Sequence, residues 1–436
     1  MLGILIFCAT FLGALRAKAQ CTFHNAINFR SPVVTTPGLV ATPIFQNLTT
    51  PRGIAFDSHQ NLLVIERGLG VTVFSEDKPG CDGWFRTIIL PRSDLTQGIQ
   101  VDVANAWLYV STSGQVLRYS YDAATTSVTG APEVIISGIP PDGELTTRPL
   151  LLSRPITLLV SSALATNIDP TARDPSSGRS QIRSFTIQST PNAVPQDFFS
   201  GQLLAFGIRN PAGFAFSPSL PQSLYVVENA ASIDNVTGVT PAFVNDNPAD
   251  ELEHVDTGAP ARFFGFPDCT TLWNPTADPV GAPQFVHLHT GDQFSLQLEP
   301  YRDDQWCRSP ANNAPPKLSF QAHSVPLDVK FFTATTQVDS TVSLPSAWGG
   351  DAFVSFHGSF NRNPPTGYGV VRVPFSNYNP IAPRSSQQAY NFLVQAANLN
   401  TCPGTCIRPV GLAFANDGRL FASSDSSGEL FFLSRA

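Results

Sequence analysis

A turn followed by two short apolar strands recurs along this chain, and that recurrence limits the possible folds more than any other feature. "PRGIAFDSHQNLLVIER" (Pro51 to Arg67) and "RPVGLAFANDGRLFASSDSSGELFFL" (Arg408 to Leu433) each read as a polar turn, an alternating strand, an Asp- or Asn-containing turn and a second strand. "QGIQVDVANAWLYVSTSGQVLRYSY" (Gln97 to Tyr121) repeats the pattern, as do "RPLLLSRPITLLVSSAL", "RNPAGFAFSPSLPQSLYVVENA" and "VPLDVKFF…WGGDAFVSFHGS". Six units begin near residues 51, 97, 148, 209, 325 and 408. A repeat of this size implies units that bury their faces only against their neighbours. Radial packing of short antiparallel meanders achieves this and leaves only short edges. The expected fold is therefore all-β, a six-bladed β-propeller forming one domain over residues 25–436. Pro248 to His323, rich in Pro, Asp and aromatic residues, is expected as long loops over one face. A pair of β-sandwiches is the structural alternative, and it leaves the recurring turn unexplained.

Composition supports strands over helices: 14% charged residues, 38 Pro, 31 Gly, 32 Phe and a single Met. The net charge of −7 comes without basic runs, which excludes nucleic acid as an expected partner. Near the start, "LGILIFCATFLGAL" is too short for a comfortable membrane span, and Ala17-Lys18-Ala19 has the small-x-small form of a signal-peptidase site. Residues 1–19 are read as a signal peptide, and the protein as secreted and extracellular with no membrane span. Cleavage there discards Cys8 and leaves Cys21, Cys81, Cys269, Cys307, Cys402 and Cys406. An even count in an oxidising compartment suggests disulfides, and nearness along the chain favours pairs 21–81, 269–307 and 402–406. Asn47-Leu-Thr and Asn235-Val-Thr are N-glycosylation sequons.

In a propeller the loops entering the innermost strands converge on one end of the central channel. Arg52, Arg148, Arg209 and Arg408 each stand at or near the start of a unit's first strand. Guanidiniums gathered there repel one another unless an anion sits among them, and a polycarboxylate ligand suits them. Arg–Asp pairs between blades are the other way to satisfy them.

"SSGRSQIRSF", "FGIRNPAGFAF", "NPADELEHV", "FGFPDC", "FHGSFNRNPPTGYGVVRVPF" and the two terminal units occur in collinear order. Together they resemble the secreted fungal pyranose dehydrogenases, sorbosone/glucose dehydrogenase-like quinoproteins that use pyrroloquinoline quinone. The resemblance implies a six-bladed propeller whose mouth binds a tricarboxylate ortho-quinone, with Ca²⁺ polarising it and a His taking the sugar's proton. It implies cofactor contacts from Arg209, Asn210, His357, Arg362 and Arg408, with Arg52 a weaker candidate. Asp250, Glu251 and Glu228 offer the oxygen ligands that Ca²⁺ prefers. The substrate implied is a sugar, and the electrons pass to an external acceptor such as a separate haem protein. The haem domain and cellulose-binding module of some relatives are not expected in this chain.

Several positions depart from the family's pattern. Leu145 in "LTTRPLLL" stands where the family has a histidine that is its expected general base. Gln97 replaces a second histidine, Ser162 and Ala163 replace an arginine and a glycine, Gly369 replaces a lysine, and Phe360 replaces a tryptophan. Leucine cannot accept a proton, and loss of a positioned base typically forfeits a factor of about 10²–10⁴. His323 and His357 are candidate substitutes, and Gln97 can orient a sugar hydroxyl. The leading expectation is a quinone-dependent sugar dehydrogenase with a weakened catalytic set. The alternatives are a degenerate, non-catalytic propeller that binds a sugar or a protein partner, and a Ca²⁺-dependent lactonase-like hydrolase in which the arginines have no role.

Overall fold

Runs such as "LLVIE", "WLYVST" and "AFVSF" are apolar on both faces, which suits strands sandwiched between two neighbours. The computed structural model describes residues 27–76, 83–153, 156–334 and 341–436. Six sheets of four or five strands are arranged in a ring, antiparallel except for a short outer strand in two of them that pairs in parallel. Their innermost strands are Pro51–Phe56, Leu95–Asp102, Leu150–Ser153, Pro211–Ser217, Pro326–Phe331 and Pro409–Phe414. We number the sheets blades 1 to 6 in that order. Each begins within a few residues of the turn that opens its sequence repeat.

One apolar cluster fills each space between neighbouring blades. Ile65, Val73, Leu108 and Val110 pack between blades 1 and 2, and Tyr109, Ile136, Val160 and Phe185 between blades 2 and 3. Equivalent clusters fill the remaining interfaces, including Phe74, Phe421 and Phe432 between blades 6 and 1. The outer strand of blade 1, Trp84–Pro91, faces solvent along most of its length because no blade covers it.

The ring is closed by chain that precedes the first repeat. Leu39–Phe45 pairs antiparallel with Glu429–Arg435, so the N-terminal strand completes blade 6. Val33–Thr35 likewise adds to the rim of blade 5 through Asn391–Ala396. Serine hydroxyls also link blades: Ser161 Oγ donates to Pro211 O at 3.0 Å, and Ser355 Oγ to Val410 O at 2.6 Å.

The segment expected as long loops is only partly so. Asp250–Asp256 and Leu318–Phe320 are the third and fourth strands of blade 4. The excursion between them carries the hairpin Cys269–Thr271 with Gln293–Ser295 and the short helix Asp304–Arg308. Cys269–Cys307 staples it, and Cys402–Cys406 closes a turn before blade 6, as expected from nearness. Cys21, Cys81 and residues 1–19, the expected signal peptide, lie outside the described residues. Asn47 and Asn235 are exposed. No helix among the described residues is long and apolar enough to cross a membrane.

Candidate active site

The turns that open the inner strands lie at one end of the ring, and the arginines there have two kinds of partner. Arg148 is buried, and its donors go to carbonyl oxygens: Nε to Ser113 at 2.9 Å, Nη1 to Leu145 at 3.3 Å and Nη2 to Pro140 at 2.6 Å. Arg209 donates from Nε and Nη2 to Asn167, and from Nη1 to Asn229 O at 3.1 Å. Arg408 holds His357 O through Nε at 2.9 Å and Gly358 O through Nη2 at 2.6 Å, leaving Nη1 without a partner among the described residues. None of these three forms an ion pair among the described residues. Burial lowers Arg148 and Arg209 to about 10, and lowers Arg408 in the same direction. Asn210 completes the Arg-Asn-Pro turn by donating to Asn229 Oδ1 at 2.7 Å.

The other two arginines are paired with carboxylates, Arg52 as the Arg–Asp alternative had it. Arg52 Nη1 lies 2.5 Å from Asp425 Oδ2, and Nη2 donates to Gln97 Oε1 at 2.8 Å. Arg362 Nη2 meets Asp246 Oδ1 at 2.7 Å. Each guanidinium is committed to a carboxylate through Nη, and its Nε alone is without a partner among the described residues. Gln97 reaches across the channel, its Nε2 donating to Ala212 O of blade 4 at 3.0 Å. It therefore ties the inner strands together, and a side chain so engaged does not face a substrate.

Two histidines stand at this end. His323 Nε2 lies 2.9 Å from Val244 O, and burial lowers its pKa. His357 Nε2 lies 2.8 Å from Asp425 Oδ1. Burial lowers the His357 pKa although the carboxylate opposes that shift. Burial alone would raise Asp425, but the hydrogen bond from His357 and the charge of Arg52 hold it well below the usual carboxylate range. The consistent pair is a neutral imidazole donating Nε2–H to a carboxylate, which leaves Nδ1 as the acceptor.

Asp425 was not singled out from the sequence. A signal was present, because Glu66, Glu228 and Asp425 all stand at the end of the second strand of a repeat ("LLVIE", "LYVVE", "FASSD"). Glu66 serves the scaffold: it is buried and doubly bonded to Arg86.

Leu145 packs against an apolar cap that includes Ile233, Phe243, Phe285 and Phe294, built by the loops of blades 3 and 4. Ser162 is buried with its hydroxyl unpartnered, and Ala163 joins the cap. At Gly369 a Cβ would meet Val394 O at 2.2 Å, so no side chain fits without backbone movement. Phe360 is exposed at 72%.

The acidic set differs from the one read in sequence. Both Asp250 oxygens are taken by backbone N–H groups, Ala230 at 2.9 Å and Val325 at 2.7 Å, and burial raises its pKa to about 7. Glu253 takes its place beside Glu228 and Glu251: these three carboxylates gather within 4.8 Å, all buried. They lie buried on the face of blade 4 that packs on blade 3, and Glu228 Oε1 also accepts from Arg209 N at 2.7 Å.

The profile of the TrAA12-like family matches residues 33–436. A pyrroloquinoline quinone-dependent sugar dehydrogenase of Hypocrea jecorina (strain QM6a) is 33% identical over 99% of this chain and 96% of that protein. A pyrroloquinoline quinone-dependent pyranose dehydrogenase of Coprinopsis cinerea is 33% identical over 91% of this chain, which spans 54% of that longer protein. The holo form of the pyranose dehydrogenase PQQ domain from Coprinopsis cinerea superposes with a TM-score of 0.81 at 31% identity, covering 95% of this chain and 99% of that domain.

Proposed function

The chain belongs to the TrAA12-like family, and from that premise we propose that it is a secreted, pyrroloquinoline quinone-dependent dehydrogenase of sugars. The observation that carries the reading is the set Arg148, Arg209 and Arg408: three guanidiniums at one end of the ring, held by carbonyl and amide oxygens and by no carboxylate among the described residues. A tricarboxylate quinone supplies the missing negative charge, so the residues present fit the cofactor. Arg408, through its unpartnered Nη1, and Arg209 with Asn210 are the residues that would hold it. When bound with Ca²⁺, the quinone supplies the two-electron acceptor that no side chain of the chain provides.

The proton of the sugar's anomeric hydroxyl goes to His357 Nδ1. Asp425 orients the ring through Nε2–H and stabilises the imidazolium once formed, and Arg52 fixes Asp425 from its other oxygen. His357 thereby takes the role for which Leu145 has no basic atom. The apolar cap over Leu145 lowers the local dielectric and strengthens the charges below it. Electrons leave to an external acceptor, for which a separate haem protein is suited.

The test is oxidation of monosaccharides with an artificial acceptor by apoprotein loaded with quinone and Ca²⁺. Turnover dependent on both, and reduced about 10²-fold or more in His357→Ala, supports the reading. Quinone binding without turnover of any sugar would make this a non-catalytic propeller.

A further inference from the structure

The disulfide Cys402–Cys406 closes too short a loop to matter much to the fold as a whole, and it stands beside the mouth. A cross-link restrains the unfolded chain less as the loop it closes shortens. Here the separation is 4 residues, against 38 for Cys269–Cys307. Pro403, Gly404 and Thr405 are exposed between two buried cysteines. Cys406 N–H donates to Pro403 O at 3.2 Å, inside the loop, and Thr405 Oγ1 meets Ser31 Oγ. Arg408 follows Cys406 by two residues and stands just before the inner strand of blade 6. Its N–H donates to Ser424 Oγ at 2.8 Å.

The packing of the two sulfurs connects them to Arg408 by a second route. Both cysteines share a buried cluster with Tyr368 and Ala396, and Leu399 packs against it. Tyr368 is fully buried with φ of 56°, a left-handed backbone that a tyrosine keeps only where its surroundings enforce it. Its hydroxyl donates to Ser359 O, and its ring centre lies 5.5 Å from the Arg408 guanidinium carbon. Arg408 closes the circuit through its bonds to His357 O and Gly358 O. Arg148 and Arg209 each use Nε and both Nη groups, whereas Arg408 leaves Nη1 unpartnered among the described residues. The direction of that free donor is therefore set by the backbone that carries it and by the Tyr368 ring.

We propose that the Cys402–Cys406 disulfide is a positioning element of the quinone site: by fixing the Arg408 backbone and the Tyr368 ring, it holds Arg408 Nη1 ready for a carboxylate of the cofactor. This role rests on quinone binding at the mouth as proposed above. A donor fixed beforehand loses less conformational freedom when the ligand arrives, so the bond tightens binding without touching the ligand. Its removal frees Arg408 to other rotamers and leaves the apolar clusters between the blades in place.

The experiment titrates pyrroloquinoline quinone, with excess Ca²⁺, into wild type, Cys402→Ser/Cys406→Ser, Arg408→Ala and the variant carrying all three changes. Thermal unfolding gives the Tm of each. The cysteine variant is expected to bind quinone about three- to tenfold more weakly, the cost of ordering one long side chain on binding. Its Tm should fall less than that of Cys269→Ser/Cys307→Ser. In the Arg408→Ala background the same cysteine change should leave Kd as it is, because groups acting through one contact are not additive. A Kd unaffected by the cysteine change, or raised equally with and without Arg408, would overturn the role. So would failure of both this variant and Cys402→Ala/Cys406→Ala to fold, since the bond would then serve the whole molecule. Hydrogen exchange of the quinone-free proteins reads the positioning by itself. Faster exchange around Tyr368 and Arg408 in the cysteine variant supports it, and unchanged exchange overturns it. A wild type that binds no quinone overturns the reading of the mouth, and this role with it.

Discussion

At the scale of single residues, the chemistry turns on which nitrogen of His357 is free. With Nε2–H given to Asp425, proton abstraction at Nδ1 requires the neutral ring, so activity rises with pH through the His357 pKa. Burial sets that pKa below the ordinary histidine value of about 6.5, and the acid limb of kcat/KM should lie below it. Asp425 raises the His357 pKa, so Asp425→Asn should move the limb to still lower pH while kcat falls, by about tenfold or more. A limb that stays put would remove Asp425 from its positioning role. The same carboxylate links to stability with the opposite dependence: its pKa is depressed on folding, so its contribution is complete above about pH 4 and is lost only as the solution becomes more acidic. His357 was legible in the sequence through the family's motif, but Asp425 was not, because it lies 68 residues away on the next blade and meets His357 only when blades 5 and 6 pack together.

At the scale of elements, glycines let the inner strands approach one another. A Cβ on Gly53 would meet Gln97 O at 1.9 Å, and one on Gly411 would meet Arg52 O at 2.5 Å. Both contacts are to backbone, which cannot swing aside. Gly411→Ala should therefore cost about 1–3 kcal/mol in urea denaturation, by overpacking. The same crowding bears on the family lysine that Gly369 replaces. Gly369→Lys should destabilise the protein and should not tighten quinone binding, since Val394 O occupies the space a Cβ needs. Tighter binding in a stable variant would mean that the strand moves easily. The repeat made the inner strands and their order legible, because turn-plus-strand units reflect local chemistry. It could not show which arginines are paired, since Arg52 and Arg362 find Asp425 and Asp246 on distant segments. It also misplaced the stretch after Pro248 among long loops, since a strand carrying Asp250, Glu251 and Glu253 shows itself as part of blade 4 only once the neighbouring blade buries it.

At the scale of the whole molecule, the ring is a set of similar apolar interfaces closed by a single N-terminal strand, with its longest excursion stapled between Cys269 and Cys307. Replacing both cysteines by serine frees a loop of 38 residues and should cost about 2–4 kcal/mol of stability. Thermal unfolding checks this, and an unchanged Tm would show that packing alone holds the excursion. The arrangement places loops from all six blades at one mouth, where three arginines lack carboxylate partners among the described residues. Pyrroloquinoline quinone titrated into apoprotein with excess Ca²⁺ tests this most directly. Saturable binding is predicted, weakened about tenfold or more in both Arg209→Ala and Arg408→Ala, as loss of one charge-assisted hydrogen bond requires. Failure to saturate, or the same Kd in wild type and both variants, would contradict it.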